Sequence, residues 1–499
     1  MAVRGKEGAP SSERLRPQGA RCGDDWGDDM SNLPLDVYDA AVARVPAYRR
    51  FLEDRLGVAP RVETLEDFAR LPFMDKPGYI RAYPLPERCL DGTLRGKHML
   101  AHSSGSSGKH LYWPIDREVE RGYWERTRDE LEANYAIGRR STLVVLGLLM
   151  GGNLSGALFA YVLRAIGIET GEITLATPGR NEEECLEVLG EFSPLFEQTV
   201  FFSYGATAKN ILETAASRGM PIRDFHIKLR LIGEGYSESF RDRINELLGY
   251  PYGTLTSVTS GYGATDFRNV GKETVLCIAI KRLLHERGLL QEVFGYDTMP
   301  TLCQYNPADI YVEEDDEELV MTRATAVPLV RYRSGDGGRV MPYEAMMALL
   351  AKHGLDPHAL MAERGYDPVK ASRNPFVLVS GRRDGLTFCG TKIFVSKIKA
   401  VLEETPYLAG RLTGEFQMKK VETDRGDPRL EIAAVLREDA PDRDEAGVGN
   451  ALADALSERQ GGIYAAVLAK DREAGVPRIR FVAREEIMTP ASFKIRWLA

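Results

Sequence analysis

Cysteine is scarce in this chain. The six present (Cys22, Cys89, Cys185, Cys277, Cys303 and Cys389) are scattered over 499 residues, with no CxxC pair. Neither a structural zinc site nor a disulfide framework is expected, and a reducing, cytoplasmic setting fits. Positive charge is not in excess either. Against 65 Lys and Arg stand 73 Asp and Glu, a formal net charge of −8 with no long basic run. That balance argues against a nucleic-acid or anionic-membrane partner. Long apolar runs are missing: Leu143–Met150 falls far short of the ~20 residues that cross a bilayer. Residues 1–34 are polar and Gly-rich and carry no apolar signal segment, so they read as a disordered tail, with Met30 as a second candidate start. A Walker A loop is absent as well. That motif needs four residues between its glycines and a Ser or Thr after its Lys. Here two residues separate Gly105 from Gly108, and His110 follows Lys109, so a P-loop NTPase is excluded.

What the chain does have is a run without bulk: Ser103, Ser104, Gly105, Ser106, Ser107, Gly108 and Lys109, preceded by His102. No side chain before Lys109 can fill a core, so the run is a loop. Its backbone N–H groups, hydroxyls and one lysine suit an oligophosphate. A Ser/Gly run also suits a linker, but Lys109 and the patterned sequence on both sides argue for a phosphate cradle. The length suits two or three domains or sub-domains. An amphipathic helix is expected over Leu35–Leu56 and a capped short helix at Thr64–Phe68. A charged helix is expected over Arg117–Tyr135. Strands at Thr142–Gly147, Gly171–Leu175, Thr199–Ser203 and Lys228–Ile232 alternate with helices at Ala157–Ile166, Glu182–Glu191, Ala206–Ala216 and Ser237–Leu248. That alternation gives an α/β fold with a largely parallel sheet, whose ligands sit at the carboxyl ends of strands. Val275–Ala279, Asp309–Val312 and Leu319–Thr322 read as short strands, with Glu313–Glu318 as a solvated hairpin tip. Beyond Gly381 come a helix near Val395–Glu403, strands at Leu412–Val421 and Leu430–Leu436, a helix at Glu445–Glu458 and a strand at Arg478–Ala483: a small α+β unit.

Several further stretches carry chemistry. Gly233-Glu234-Gly235 ends a strand. Gly261-Tyr262-Gly263-Ala264-Thr265-Asp266 sets an aromatic, a hydroxyl and a carboxylate among small residues. Pro328–Asp336 ends a strand on an aspartate, and Gly381-Arg382-Arg383-Asp384 lies at the expected domain junction. Taken in this order with the Ser/Gly loop, and with Val45–Arg50 and Leu71–Lys76 before it, they resemble the adenylate-forming (AMP-binding, acyl-activating) superfamily. Within it, the chain looks like the phenylacetate-CoA ligase branch over roughly residues 35–499.

The resemblance implies a large N-terminal domain with mixed and parallel sheets (35–380), a hinge (381–384, turning on Asp384) and a small mobile α+β C-terminal domain (385–499). It implies adenylation of a carboxylic acid by ATP with Mg²⁺, then acyl transfer. Ser103–Lys109 would hold the β- and γ-phosphates, Thr265 the α-phosphate and Asp266, which stands where the family usually has Glu, the Mg²⁺. Tyr262 would stack on adenine, Asp336 would take the ribose hydroxyls, and Gly233, Glu234, Gly235, Gly263, Ala264 and Arg382 would border the nucleotide. Lys494, within Thr489–Arg496, is the candidate to bridge the acid and the α-phosphate, with Phe493 where the family usually has Gly. An acid pocket built on Met150, Gly151, Gly152, Ser203 and Tyr204 lacks a cluster of cations and suits an aryl or heteroaryl monocarboxylic acid. Coenzyme A is the leading acceptor. Gly385 and Cys389 depart from the family on the transfer face, which keeps an amine acceptor, as in an amide bond synthetase, as the alternative. A monomer or homodimer is expected.

Overall fold

The computed structural model describes residues 32–487, apart from 104–109, 234, 297–298, 383–384, 389–390, 395–397, 399–400, 403–404, 424–426, 438–439 and 461. The expectations for Ser104–Lys109, Glu234, Asp384, Cys389, Lys494 and most of the Val395–Glu403 helix therefore lie outside the described residues, as do the side chains of Ser103 and Arg382.

The N-terminal helix is two helices. A residue before proline is pushed out of the α region, and Val45 sits at φ −110°, ψ 103°. Leu33–Arg44 ends there, and Pro46 opens Pro46–Leu56 at its first position. Leu65–Ala69 starts on a reciprocal Thr64–Asp67 capping box, as the S/T-x-x-acid pattern predicts. Strands β1 (Met99–Ser103) and β2 (Leu111–Ile115) then pair antiparallel on either side of the Ser/Gly loop.

Next comes the expected parallel sheet. Strands β3 (Thr142–Leu146), β4 (Ile173–Ala176), β5 (Gln198–Ser203), β6 (Ile227–Leu231) and β7 (Val258–Thr259) lie in the order β4-β3-β5-β6-β7, parallel throughout. On β3, Leu143 and Val145 face one apolar cluster and Val144 and Leu146 another. Such two-sided burial is why the strand reads as an unbroken apolar run. The chain leaves β3 for β4 on one side and then crosses to β5 on the other. The carboxyl ends of β3 and β5 thus flank the switch point where open α/β sheets bind ligands.

A second sheet is antiparallel: β8 (Gly261–Ala264), β9 (Arg268–Lys272), β10 (Thr301–Tyr305), β11 (Tyr311–Asp315), β12 (Glu318–Arg323), β13 (Leu329–Met341) and β14 (Phe376–Arg382), in the order β11-β12-β13-β14-β10-β9-β8. Two expectations fail here. Val275–Ala279 is no strand but the start of a helix, Val275–Arg287, whose first turn is capped by Thr274 on the Cys277 N–H. That helix is buried on nearly all sides, so its apolar run carries no helical period. The acidic stretch is not a solvated tip, because only Asp316 and Glu317 turn the chain. Glu313 pairs with Arg331 at 3.2 Å, and Asp315 and Glu318 both pair with Arg333.

Strands β15 (Gly385–Phe388) and β16 (Thr391–Phe394) continue from β14, and β17 (Leu412–Glu422), β18 (Pro428–Leu436) and β19 (Arg478–Phe481) form a third sheet. A separate apolar cluster runs from Phe388 to Phe481. No helix among the described residues is long and apolar enough to cross a membrane.

Candidate active site

The expected nucleotide motif forms the β8–β9 hairpin. Its strands approach so closely that a Cβ on Gly263 would stand 2.5 Å from the Arg268 carbonyl oxygen, which is why glycine occupies that position. Tyr262 is buried beside Phe267 and donates its hydroxyl to the Asp336 carboxylate at 2.8 Å. Asp266, in the turn that follows and 3% exposed, accepts from the Tyr332 hydroxyl at 2.7 Å. The two bonds tie the same pair of segments. Tyr262 and Asp266 are four apart on one, and Tyr332 and Asp336 are four apart on the other. Pairing of β13 with β14 sets Asp336 opposite Arg382. Thr265 is half-buried in the turn, its carbonyl accepting from Arg268 at 3.0 Å. Arg268 has a left-handed φ of 68° and also donates to the Pro114 carbonyl at 2.9 Å. Burial pushes its guanidinium down to about 10.

Lys76 reaches the same corner from far away in sequence. Met74 lies alongside β13, its N–H donating to Arg331 O at 3.1 Å and its carbonyl accepting from the Arg333 N–H at 2.8 Å. The Phe73 ring is flanked by the guanidinium carbons of Arg331 and Arg333 at 4.3 and 4.2 Å. Asp75 caps the short turn that follows by accepting from Gly78 N–H. So anchored, Lys76 Nζ stands 2.8 Å from Asp266 Oδ2. A single buried carboxylate suits Mg²⁺, which is usually held by one or two carboxylates together with water and substrate phosphates. The Lys76 ammonium shares that carboxylate, so the donor set fits Mg²⁺ only with phosphate oxygens completing the shell. Among the described residues no cluster of three or more His, Cys, Asp or Glu stands ready to hold a metal by itself.

Behind the hairpin lies a fully buried ionic cluster. Glu273 accepts from the Ser260 N–H at 3.0 Å, Lys281 at 2.8 Å, Arg241 at 3.0 Å and the Tyr236 hydroxyl. Arg241 also reaches Glu238 at 3.1 Å and Leu255 O at 2.9 Å. Burial raises the Glu238 carboxyl, but Arg241, Lys281 and Arg282 outweigh it and hold it at about 2. Glu273 is lowered in the same way, against burial, by Lys281 and Arg241. The cluster fixes Tyr236, just past Gly233-Glu234-Gly235, to Ser260, just before Gly261. Gly233 itself has a φ of +88° and sits against the Tyr204 ring, and a Cβ on Gly235 would meet Thr301.

The expected acid pocket lies at the carboxyl ends of β3 to β6. Met150 and Tyr204 are half-buried, and Gly151 is exposed. Ser203 is fully buried with its hydroxyl on Gly147 O at 3.5 Å, so it fastens the ends of β3 and β5. Gly152 is held against His102, whose ring atoms would lie 2.5 Å from a Cβ there, and the His102 N–H donates to Gly152 O at 2.9 Å. The strand that leads into the Ser/Gly loop is thereby tied to the turn at Gly151-Gly152.

Sequence reasoning assigned no role to Lys76, Tyr332, Glu273, His102 or Arg180. Lys76, His102 and Tyr332 lie in stretches that stand out in the sequence, Leu71–Lys76, the residue before Ser103 and Pro328–Asp336, but nothing there points to the side chain itself. The others gain meaning from partners distant in the chain.

No family model matches the chain. Phenylacetate-coenzyme A ligase of Thermus thermophilus is 27% identical over 320 residues, 62% of this chain and 63% of that protein. The match thus spans less than two thirds of the relative's length. Among solved structures, 2-hydroxyisobutyryl-CoA ligase, in complex with 2-HIB-AMP and CoA in the thioesterification state, matches with a TM-score of 0.53 at 18% identity, covering 94% of this chain and 88% of that one. Amide bond synthetase McbA from Marinactinospora thermotolerans gives a TM-score of 0.38 at 14% identity, covering 88% of this chain and 74% of that one. The chain thus shares its fold with 2-hydroxyisobutyryl-CoA ligase, and its sequence is similar to that of a phenylacetate-coenzyme A ligase.

Proposed function

We propose that this chain, an adenylate-forming fold of the phenylacetate-CoA ligase-like branch, is an ATP-dependent, AMP-forming ligase. It activates an aryl or heteroaryl carboxylic acid and passes the acyl group to coenzyme A. The observation that carries the reading is the pairing of two hydrogen-bonded corners between the β8–β9 hairpin and β13, one of them joined by Lys76. Lys76–Asp266–Tyr332 is a charged corner suited to phosphates, and Tyr262–Asp336 is an aromatic–carboxylate corner suited to a nucleoside.

In the first step a carboxylate oxygen attacks the α-phosphorus of ATP. The new P–O bond forms as the bond to the β-phosphate breaks, and pyrophosphate leaves. Both reactants are anions, so alignment and charge neutralisation dominate the barrier. Lys76 and Thr265 border the phosphates, Asp336 takes ribose hydroxyls, and the Tyr262 ring edges the base. Asp266 would hold Mg²⁺, which supplies charge neutralisation to phosphate oxygens. By the family resemblance, Lys494 bridges acid and α-phosphate, and Ser103–Lys109 grips the leaving pyrophosphate. In the second step the acceptor attacks the acyl carbon, the bond to AMP breaks and AMP departs. Residues 385–499 turn about Asp384 between the steps, a closure in which a few hinge residues absorb the change. An amine acceptor is the second reading, favoured by the departures at Gly385 and Cys389 from the residues that the family resemblance implies for the transfer face.

Acid-dependent ATP–pyrophosphate exchange over a panel of aryl acids tests the first step, and its absence across the panel refutes the reading. Mass spectrometry of products formed with CoA or with an amine tests the second. Efficient amide formation without CoA would replace the thiol acceptor with an amine.

A further inference from the structure

The loop ends expected to frame the acid pocket carry no cluster of cations, but one cation, Arg180, stands among them. Arg180 follows Gly179 in the loop at the carboxyl end of β4. That loop is fixed: the Gly179 N–H donates to Leu146 O at 3.2 Å, and Gly179, at φ +64°, packs against Met150. Asn181 then caps the Glu182–Phe192 helix. Held there, the half-buried Arg180 places its guanidinium carbon 5.8 Å from the centre of the Tyr204 ring. Tyr204 in turn packs against Gly233. Arg180 meets no carboxylate among the described residues. In the described loop ends of β3 to β6 (147–153, 177–181, 203–204 and 232–233) it is the one cationic side chain.

A guanidinium never loses its charge near neutral pH. Stacked on an aromatic face, it keeps its in-plane N–H donors for a planar acceptor. An all-carbon acyl group offers these donors no acceptor.

We infer that the acid carries, besides the carboxylate that is activated, a second hydrogen-bond acceptor on its ring or side arm, and that Arg180 is the specificity residue that reads it. This rests on the adenylation reading above and narrows its substrate class. Plain aryl acids are poor substrates, and acids bearing a ring nitrogen, a ring carbonyl or a second carboxylate are good ones.

The test is acid-dependent ATP–pyrophosphate exchange with three matched sets: benzoate-type acids without a further acceptor, the same acids with a neutral acceptor, and the same acids with a second carboxylate. In the wild type, kcat/KM for an acceptor-bearing set should exceed the plain set by roughly 10- to 100-fold, the range of a charged hydrogen bond. Which acceptor-bearing set wins says whether the group is neutral or anionic. Arg180→Ala should bring that ratio to about one. Arg180→Lys, which cannot donate in the bidentate fashion, should leave it in between. Arg180→Glu should favour acids bearing a ring amine. Unchanged melting temperatures certify that the variants fold. Equal use of all sets by the wild type overturns the inference while leaving the adenylation reading intact, and so does an unaltered ratio in Arg180→Ala. No exchange with any acid overturns both.

Discussion

Glu273→Ala should be the most damaging single change in the large sheet region, and its size follows from charge balance. The cluster holds three cations, Arg241, Lys281 and Arg282, each 2% exposed or less, against Glu238 and Glu273, also buried, and Asp242 at the rim. Removing Glu273 leaves three buried cations facing one buried carboxylate, Glu238, and takes the acceptor from the Ser260 N–H, Lys281, Arg241 and Tyr236 at once. Breaking a buried pair from one side costs about 3–5 kcal/mol. At ~1.4 kcal/mol per tenfold, that raises the unfolded fraction roughly 10²- to 10⁴-fold. Urea unfolding followed by the emission of buried Trp113 should therefore show a markedly lower midpoint. The double variant Glu273→Gln/Lys281→Met removes one charge of each sign and should regain at least half the loss, because a neutral pair leaves no surplus charge. Because Ser260 leads into Gly261–Ala264, the single variant should also raise KM for ATP. A loss under ~1 kcal/mol, or a double variant no better than the single, would refute the charge-balance reasoning.

Lys76→Met removes the ammonium from Asp266 and should lower kcat for pyrophosphate exchange by roughly 10²- to 10³-fold, with partial recovery in Lys76→Arg; an unchanged rate rejects its place at the phosphates. Glu238 is held at about 2 against an ordinary 4.5. A depressed folded value contributes stability that is complete above about 4.5 and is lost as pH falls towards 2. An acid titration should show that decline, and Glu238→Gln should flatten it; a wild type equally stable at pH 5 and pH 3 contradicts the assignment. Burial pushes the Cys89 thiol up to about 11 and those of Cys185 and Cys277 up to about 12, and it raises Cys303 well above the ordinary thiol range. Alkylation of the native protein at pH 8 should therefore modify at most two of its six cysteines; four or more would show that these cores open.

The parallel sheet was legible because strands buried on both faces carry unbroken apolar runs, Leu143–Leu146 and Val200–Phe202, too short for helices. The same logic misread Val275–Ala279. Five apolar residues on a helix sunk in the core look like a strand until the charges that follow, Lys281 and Arg282, are seen to point at Glu238, Asp242 and Glu273. Pro46 was visible, yet the hydrophobic period continues across it because Val37, Tyr38, Ala41, Tyr48 and Phe51 all enter one core. The nucleotide motif was legible as residue types. Its pairings were not, since Tyr262–Asp336 and Tyr332–Asp266 join positions 74 and 66 residues apart, and nothing local to Lys76 predicts a carboxylate contributed by the β8–β9 turn.

The strand-like docking of Met74 on β13 also has a consequence in time. The Val330 N–H meets the Met74 sulfur across 256 residues of chain. At a synthesis rate of ~5–20 residues per second, the N-terminal segment waits about 15–50 s before its landing place exists. During that wait the Phe73 ring has neither Arg331 nor Arg333 beside it. The Lys76–Asp266–Tyr332 corner is thus completed late in translation, after most of the large sheet has emerged. A chain interrupted before residue 332 lacks both Tyr332 and the start of the β13 backbone on which Met74 docks.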